Sequence, residues 1–379
     1  MSLFLVVFFS LYGGLHLYAF LKARAALAFH AGTGTILALF MLLMVVAPII
    51  IHFLEKAGYD ILARIFSWTG YTWMGALFLF VSVSLIIDCY RLILSAGTFI
   101  TGTDIAVLTL PKQHAFFISL VVSLSLAAYG YFEARDIRTE RVLIKTPKIP
   151  AKIGMVKIVQ ISDVHLGLIV RQERLRRMLA EVKRADPDIL VSTGDLVDGQ
   201  INGLAGLAEL LQEINPRYGK FAVTGNHEFY AGLDQALEFT AKAGFTMLRG
   251  EGFPIAGIIN IAGVDDPAGK TFGLFRGTPE KELLSGFAHD RFTLLLKHRP
   301  LVDRDSEGLF DLQLSGHVHK GQIFPFSLVT WLYYPIHAGR LNLEDNALLY
   351  VSRGTGTWGP PIRFLSPPEV TVVELVHAD

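Results

Sequence analysis

The chain has 379 residues, 52% of them hydrophobic, and its 34 Lys and Arg balance 34 Asp and Glu. Zero net charge leaves no electrostatic footprint for nucleic acid, so no nucleic-acid partner is expected. A composition this apolar exceeds what a soluble chain of the same length carries and points to a membrane portion.

The apolar excess sits at the front. Leu3 to Phe20, Ile36 to Ile51, Ile65 to Ile87 and Ala115 to Tyr131 are largely uncharged and near the length needed to cross ~30 Å of hydrocarbon, which predicts about four transmembrane helices within residues 1–132. The first stretch lacks a basic segment before its apolar core, which favours a retained anchor over a cleaved signal. Leu92 to Leu110 is apolar but broken by glycines and Asp104, and reads as an interfacial or re-entrant piece. Cys89 is the only cysteine, so intramolecular disulfides and CxxC metal sites are excluded and any metal must be held by nitrogen and oxygen.

Residues 133–152 change from apolar to charged and contain Pro147 and Pro150, which predicts an extended basic linker. Arg135, Arg138, Arg141, Lys145, Lys148 and Lys152 follow the last apolar stretch, and such a cluster marks the cytoplasmic side. Lys22, Arg24, Arg91 and Lys112 fall in the opposite loops and moderate this bias.

The remaining residues, 153–379, form the second domain. Met155 to Ile161 and Ile189 to Ser192 are short β-branched runs, and Leu175, Met178, Leu179 and Val182 between them recur with helical spacing. Leu207 to Ile214 as helix and Phe221 to Thr224 as strand repeat the unit. Polar blocks stand just past each strand, where open α/β sheets bind ligands. Ile258 to Val264, Phe292 to Leu296, Leu312 to Ser315, Ala347 to Ser352 and Val370 to Leu375 complete a strand-rich second half. A two-sheet α/β sandwich with helices outside is the expected fold.

Those polar blocks are Asp163-Val164-His165, Gly194-Asp195-Leu196-Val197-Asp198, Gly225-Asn226-His227-Glu228, a lone His298, and Gly316-His317-Val318-His319. Of the eight histidines after residue 150, five lie in them. Two divalent ions roughly 3.5–4 Å apart need a shared oxygen ligand and terminal nitrogen and oxygen ligands, which this inventory supplies. Glycines 167, 194, 225 and 316 flank the blocks, where backbone must turn tightly or pass close to ligands.

The pattern of D-x-H, G-D-x-x-D, G-N-H-E/D, H and G-H-x-H resembles the calcineurin-like metallophosphoesterases from about Met155 to the C-terminus, with every motif position filled. The resemblance implies a four-layer αββα sandwich and two divalent metals, manganese favoured over iron or zinc. It further implies that Asp163, His165, Asp195 and His319 hold one ion while Asp195, Asn226, His298 and His317 hold the other. His227 would donate a proton to the leaving oxygen, oriented by Asp198, after attack by a metal-bridging hydroxide. Arg299 and Arg353 lie outside the signature and are candidate phosphate contacts, because guanidinium matches phosphate bidentately.

Membrane-anchored bacterial members of that family, and the UDP-2,3-diacylglucosamine hydrolases, are similar in character. The expectation is thus a multi-pass enzyme of a bacterial inner membrane, its catalytic domain cytoplasmic. It would hydrolyse a phosphodiester or pyrophosphate bond of a phosphorylated lipid or nucleotide-lipid, with the lipid bilayer as partner. Trp331 to Tyr334 and Trp358 to Phe364, aromatic and proline-rich, would form a hydrophobic rim. Two alternatives stand beside this: a phosphodiesterase of soluble nucleotides, and a catalytically silent membrane sensor or scaffold.

Overall fold

The computed structural model describes residues 3–102, 108–199, 203–204 and 206–378. Its first unit consists of α1 (Leu3–Leu27), α2 (Ala31–Lys56), α3 (Asp60–Thr101) and α4 (Lys112–Glu133). Each helix contains one of the expected apolar stretches and is long and apolar enough to cross a membrane. The protein is therefore membrane-associated. Tyr12, Ala19, Met41, Leu77, Phe80 and Val81 join the helices in a shared core, while Leu17, Ile36, Leu39, Ile86 and Val121 remain exposed on the outer faces, a surface as apolar as the lipid tails it would meet.

α3 has 42 residues, about 63 Å at 1.5 Å per residue and roughly twice the hydrocarbon thickness. Of the stretch Leu92 to Leu110, expected as an interfacial or re-entrant piece, Leu92 to Thr101 continue α3 without a break at Gly97. The helix stops at Gly102, whose φ of 67° favours glycine. Residues 103–107, including Asp104, lie outside the described residues.

The second unit, Glu133–Gly359 with Arg363–Asp379, contains twelve strands among the described residues. One sheet runs β1-β12-β2-β3-β4-β5, made of β1 (Arg138–Thr146), β12 (Glu369–His377), β2 (Met155–Ile161), β3 (Ile189–Ser192), β4 (Lys220–Ala222) and β5 (Thr246–Met247). The other runs β10-β11-β9-β8-β7-β6, made of β10 (Gly339–Asn342), β11 (Leu348–Val351), β9 (Leu312–Ser315), β8 (Phe292–Leu296), β7 (Ile259–Gly263) and β6 (Glu251–Ile255). Ile158, Val191, Phe221, Leu294, Leu296, Leu314 and Tyr350 fill the space between the sheets.

Helices cover the outside. α5 (Gln172–Ala185) turns Leu175, Met178, Leu179 and Val182 onto the first sheet, all at most 4% exposed, joined there by α6 (Leu207–Gln212) and, after α7 (Asn226–Ala231), by α8 (Leu233–Lys242). Leu284 of α9 (Glu280–Ser285) packs with Ala262 and Leu295 against the second sheet. The αββα sandwich expected from the strand pattern is present.

The segment expected to be a linker carries β1, which pairs in parallel with β12 over its full length. Three of its basic side chains are fixed within this unit: Arg138 to Asp136, Arg141 to Glu374 and Lys148 to Asp311. The segment is extended over Arg138–Thr146 and turns from Pro147 onward, so it is sheet edge rather than free connector.

Candidate metal centre

Every candidate ligand stands in a loop that leaves the C-terminal end of a strand. Asp163 and His165 follow β2, Asp195 and Asp198 follow β3, and Asn226 and His227 begin α7 after β4. His298 follows β8, and His317 and His319 follow β9. Because β2, β3 and β4 are parallel, as are β7, β8 and β9, these ends form one rim in each sheet. Backbone hydrogen bonds tie the loops together: Asp163 N–H to Gly194 O at 3.0 Å, His165 N–H to Asp195 O at 3.0 Å, and Gly316 N–H to His298 O at 2.8 Å.

The side chains gather in two overlapping groups. In one, His319 Nε2 lies 3.3 Å from Asp163 Oδ1 and 3.1 Å from His165 Nε2. In the other, His298 Nε2 lies 3.2 Å from Asp195 Oδ2 and 3.2 Å from His317 Nδ1. Asp195 Oδ2 is also 3.8 Å from His165 Nε2, so one carboxylate reaches both groups. Both groups, and a third made of His165, Asp195 and His227, present donor atoms close enough for one cation each.

Two further observations show that these residues fit divalent ions. Asn226 Oδ1 is buried without a hydrogen-bond partner among the described residues, a costly state that a cation relieves. Five of the seven candidate ligands also hold positive φ: Asp163 at 52°, His165 at 53°, Asp195 at 52°, His317 at 75° and His319 at 47°. Such conformations cost of order 1–3 kcal/mol each and concentrate at ligand clamps. Nitrogen and oxygen donors of this kind suit manganese, iron or zinc.

The electrostatics set the protonation states. Burial pushes Asp163 and Asp195 up, but His319 and His298 overcome it at Asp163, and His298 and His227 at Asp195, holding both carboxyls well below the usual range. Burial drives His317 down to about 3, helped by repulsion from His298, and drives His319 down to about 4. Both are thus neutral near pH 7, the form that binds metal. His298 Nδ1 bonds the Thr193 carbonyl at 2.7 Å, which leaves Nε2 towards Asp195.

His227 and Asp198 are paired. His227 Nδ1 lies 3.2 Å from Asp198 Oδ1 and contacts the Asp198 carbonyl. Against the effect of burial, Asp195 and Asp198 raise His227 to about 10. The same Asp198 oxygen is 3.1 Å from His165 Nδ1, so Asp198 positions two imidazoles, one of them a candidate ligand. The His227 N–H donates to Asp195 Oδ1 at 2.8 Å.

Glu228, the last residue of the Gly225-Asn226-His227-Glu228 block, acts through backbone hydrogen bonds. Its buried carboxylate accepts from Gly225 N–H at 2.6 Å, Asp195 N–H at 3.0 Å and Leu196 N–H at 2.8 Å, clamping the β3 and β4 loops together. Only its hydrogen bonds reveal this. Aromatic rings adjoin the imidazoles: Tyr230, which no sequence signal marked, and Trp358, expected in the rim, lie 5.3 and 6.1 Å from the His227 ring, and Tyr334 lies 5.6 Å from His317.

The two arginine candidates fare differently from the ligands. Arg353 is engaged within the domain: its guanidinium bonds Glu369 at 2.8 Å and also Glu140 and the Pro367 carbonyl, so it ties strands β1 and β12 to the loop after β11. Arg299 adjoins His298, but its fork grips Asp266 at 2.7 and 3.0 Å. That carboxylate takes two of its five N–H donors.

Residues 156–321 match the model of the calcineurin-like phosphoesterase family. The chain is 42% identical over 257 residues to an uncharacterized metallophosphoesterase of Aquifex aeolicus, covering 68% of this chain and 98% of that protein. It is 32% identical over 275 residues to one from Campylobacter jejuni, covering 70% and 72%. It is also 30% identical over 273 residues to a zebrafish (Danio rerio) transmembrane protein with metallophosphoesterase domain, covering 69% of this chain and 62% of that one. With the motif residues gathered around two cation-sized groups, the chain belongs to the calcineurin-like metallophosphoesterases, metal-dependent hydrolases of phosphate esters.

Proposed function

We propose that the protein is a dinuclear phosphoesterase that hydrolyses a phosphodiester or pyrophosphate bond in the headgroup of a membrane lipid or nucleotide-lipid. Asp163, His165, Asp195 and His319 would hold one divalent ion, manganese foremost, and Asp195, Asn226, His298 and His317 the other. When bound, the ions would polarise the phosphoryl group and lower the pKa of water. The chain itself contributes the rest. Asp195 keeps the two ligand groups in register, Asp198 fixes His165 and His227, and His227 keeps a proton on the ring for the departing oxygen, with Nδ1 engaged by Asp198 and Nε2 left for donation.

One observation carries the lipid reading. The helix α10 (Phe326–Tyr333), which follows His319 closely in the chain, has no buried residue. Phe326, Leu328, Val329, Trp331, Leu332 and Tyr333 are all exposed, Leu332 at 71% and Tyr333 at 79%. A helix that exposes six large apolar side chains suits a lipid interface. Trp358, half exposed beside His227, continues the apolar rim. Placement on the cytoplasmic face of a bacterial inner membrane is supported by the basic residues that follow α4.

Full-length protein in liposomes tests this, comparing wild type with a Trp331→Ser, Leu332→Ser, Tyr333→Ser triple variant. Hydrolysis of phospholipid or nucleotide-lipid esters should fall at least tenfold while hydrolysis of a soluble nitrophenyl diester stays level. Equal rates on lipid would favour soluble nucleotides as substrates, and a loss on both would point to damage at the metal centre.

A further inference from the structure

The helical unit holds a basic cavity that the phosphoesterase chemistry does not use. It has a volume of about 100 Å³ and lies between α1, α3 and α4, lined by Lys22, Arg91 and Lys112 with Ser84, Ser119 and Phe116. Lys22 stands in the last two turns of α1 and Lys112 is the first residue of α4. The cavity therefore opens where α1 ends and α4 begins, at the depth of lipid headgroups rather than of acyl chains.

Among the described residues its charges do not balance, with Lys22, Arg91 and Lys112 against one neighbouring acid. Asp88 is the neighbouring acid, and it is already engaged by Lys22 and by the Tyr18 hydroxyl at 2.7 Å. Arg91 donates one N–H to the Leu110 carbonyl at 3.0 Å, which fixes its guanidinium and leaves other donors of the fork. Among the described residues, no carboxylate lies within ion-pair distance of Arg91 or Lys112. The N-terminal end of the α4 dipole adds to the positive potential. Cations at the border of an apolar bundle are costly unless an anion answers them.

We infer that this cavity binds the phosphate of an anionic membrane lipid, held by Arg91 and Lys112 with Lys22 behind them. Its size selects the class of ligand: pockets for whole small molecules span roughly 300–1,000 Å³, whereas this one has room for a phosphate group and little more. A diester phosphate whose acyl chains remain in the bilayer fits both the volume and the depth. Basic pockets between transmembrane helices are a known physical solution to such headgroups. The site contains none of the candidate metal ligands, so it stands apart from the hydrolytic reaction.

Native mass spectrometry of the full-length protein, exposed to phosphatidylglycerol or phosphatidylcholine, tests the inference. Wild type should retain phosphatidylglycerol in preference to phosphatidylcholine. Arg91→Gln with Lys112→Gln should weaken that retention roughly 30-fold, and Lys112→Gln alone, an exposed change at a helix start that leaves the bundle intact, about fivefold. Lys56→Gln with Arg64→Gln removes the same charge elsewhere and should leave retention unchanged. Undiminished retention in Lys112→Gln, equal retention of phosphatidylcholine, or the same loss in the Lys56 and Arg64 control would overturn the proposal. Inorganic phosphate should not displace the lipid; displacement would assign the cavity to free phosphate and defeat the lipid claim.

Discussion

The carboxylate of Glu228 accepts the backbone N–H of Asp195 at 3.0 Å, so a buried acid in the first turn of α7 sets the position of the acid that reaches both ligand groups from the loop after β3. Glu228→Gln keeps the volume but turns one acceptor into a donor facing the N–H groups of Gly225, Asp195 and Leu196. A buried unmade bond of this kind costs about 1–3 kcal/mol. The variant should melt at lower temperature and bind metal more weakly; calorimetry with metal titration reads both, and unchanged affinity would show that the clamp does not govern Asp195.

Two glycines leave room for the carboxylates. A Cβ on Gly225 would meet Asp195 Oδ1 at 2.1 Å, and one on Gly316 would meet Ser162 Oγ at 2.0 Å and Asp163 Oδ2 at 2.3 Å. Gly225→Ala should mainly displace Asp195 and Gly316→Ala mainly Asp163. Each is expected to lower turnover on a soluble diester by at least tenfold with circular dichroism little altered. Full activity in either would mean that the loops have more freedom than their close approach implies.

His227→Asn should leave metal content intact and slow hydrolysis of esters with poor leaving groups by about 10²–10⁴-fold. The loss should shrink for a nitrophenolate leaving group, which needs no proton. An equal loss with both leaving groups would remove His227 from the acid role, notwithstanding its contact with Asp198.

Arg353→Gln separates structure from substrate binding. The arginine faces the 1% exposed Glu369, and breaking such a pair leaves an uncompensated charge worth about 3–5 kcal/mol. Stability should fall while KM for a soluble diester stays within about twofold. A large rise in KM in a stable variant would return Arg353 to the substrate contacts.

What could be read from the sequence followed how directly residue type dictates structure. Asp163, His165, Asp195, His298, His317 and His319 stood out because few chemistries ask for such residues just past buried strands, and the structure brings their side chains into overlapping groups; Asn226 stands beside them in sequence with its Oδ1 buried. β2, β3, β8 and β9 were legible as short apolar runs, since every residue of β3, β8 and β9 is buried. β1 was not, because an edge strand with four charged residues around the short run Val142 to Ile144 looks like a basic connector until Arg141 is seen against Glu374. Leu92 to Thr101 misled through Gly97, which local reading treats as a break although α3 absorbs it. The roles of Glu228 and Arg353 depend on partners far away in sequence, and no local pattern encodes them.

In the proposed reaction one carboxylate, Asp195, organises two metal ions for phosphoester hydrolysis. Its most direct test is the metal content of purified full-length protein and of Asp195→Asn, measured by plasma mass spectrometry alongside activity on a soluble diester. The account predicts two divalent ions per wild-type chain, and in the variant a loss from both positions together with loss of turnover. Full activity with a single bound ion, or an Asp195→Asn chain that keeps two ions and its turnover, would contradict it.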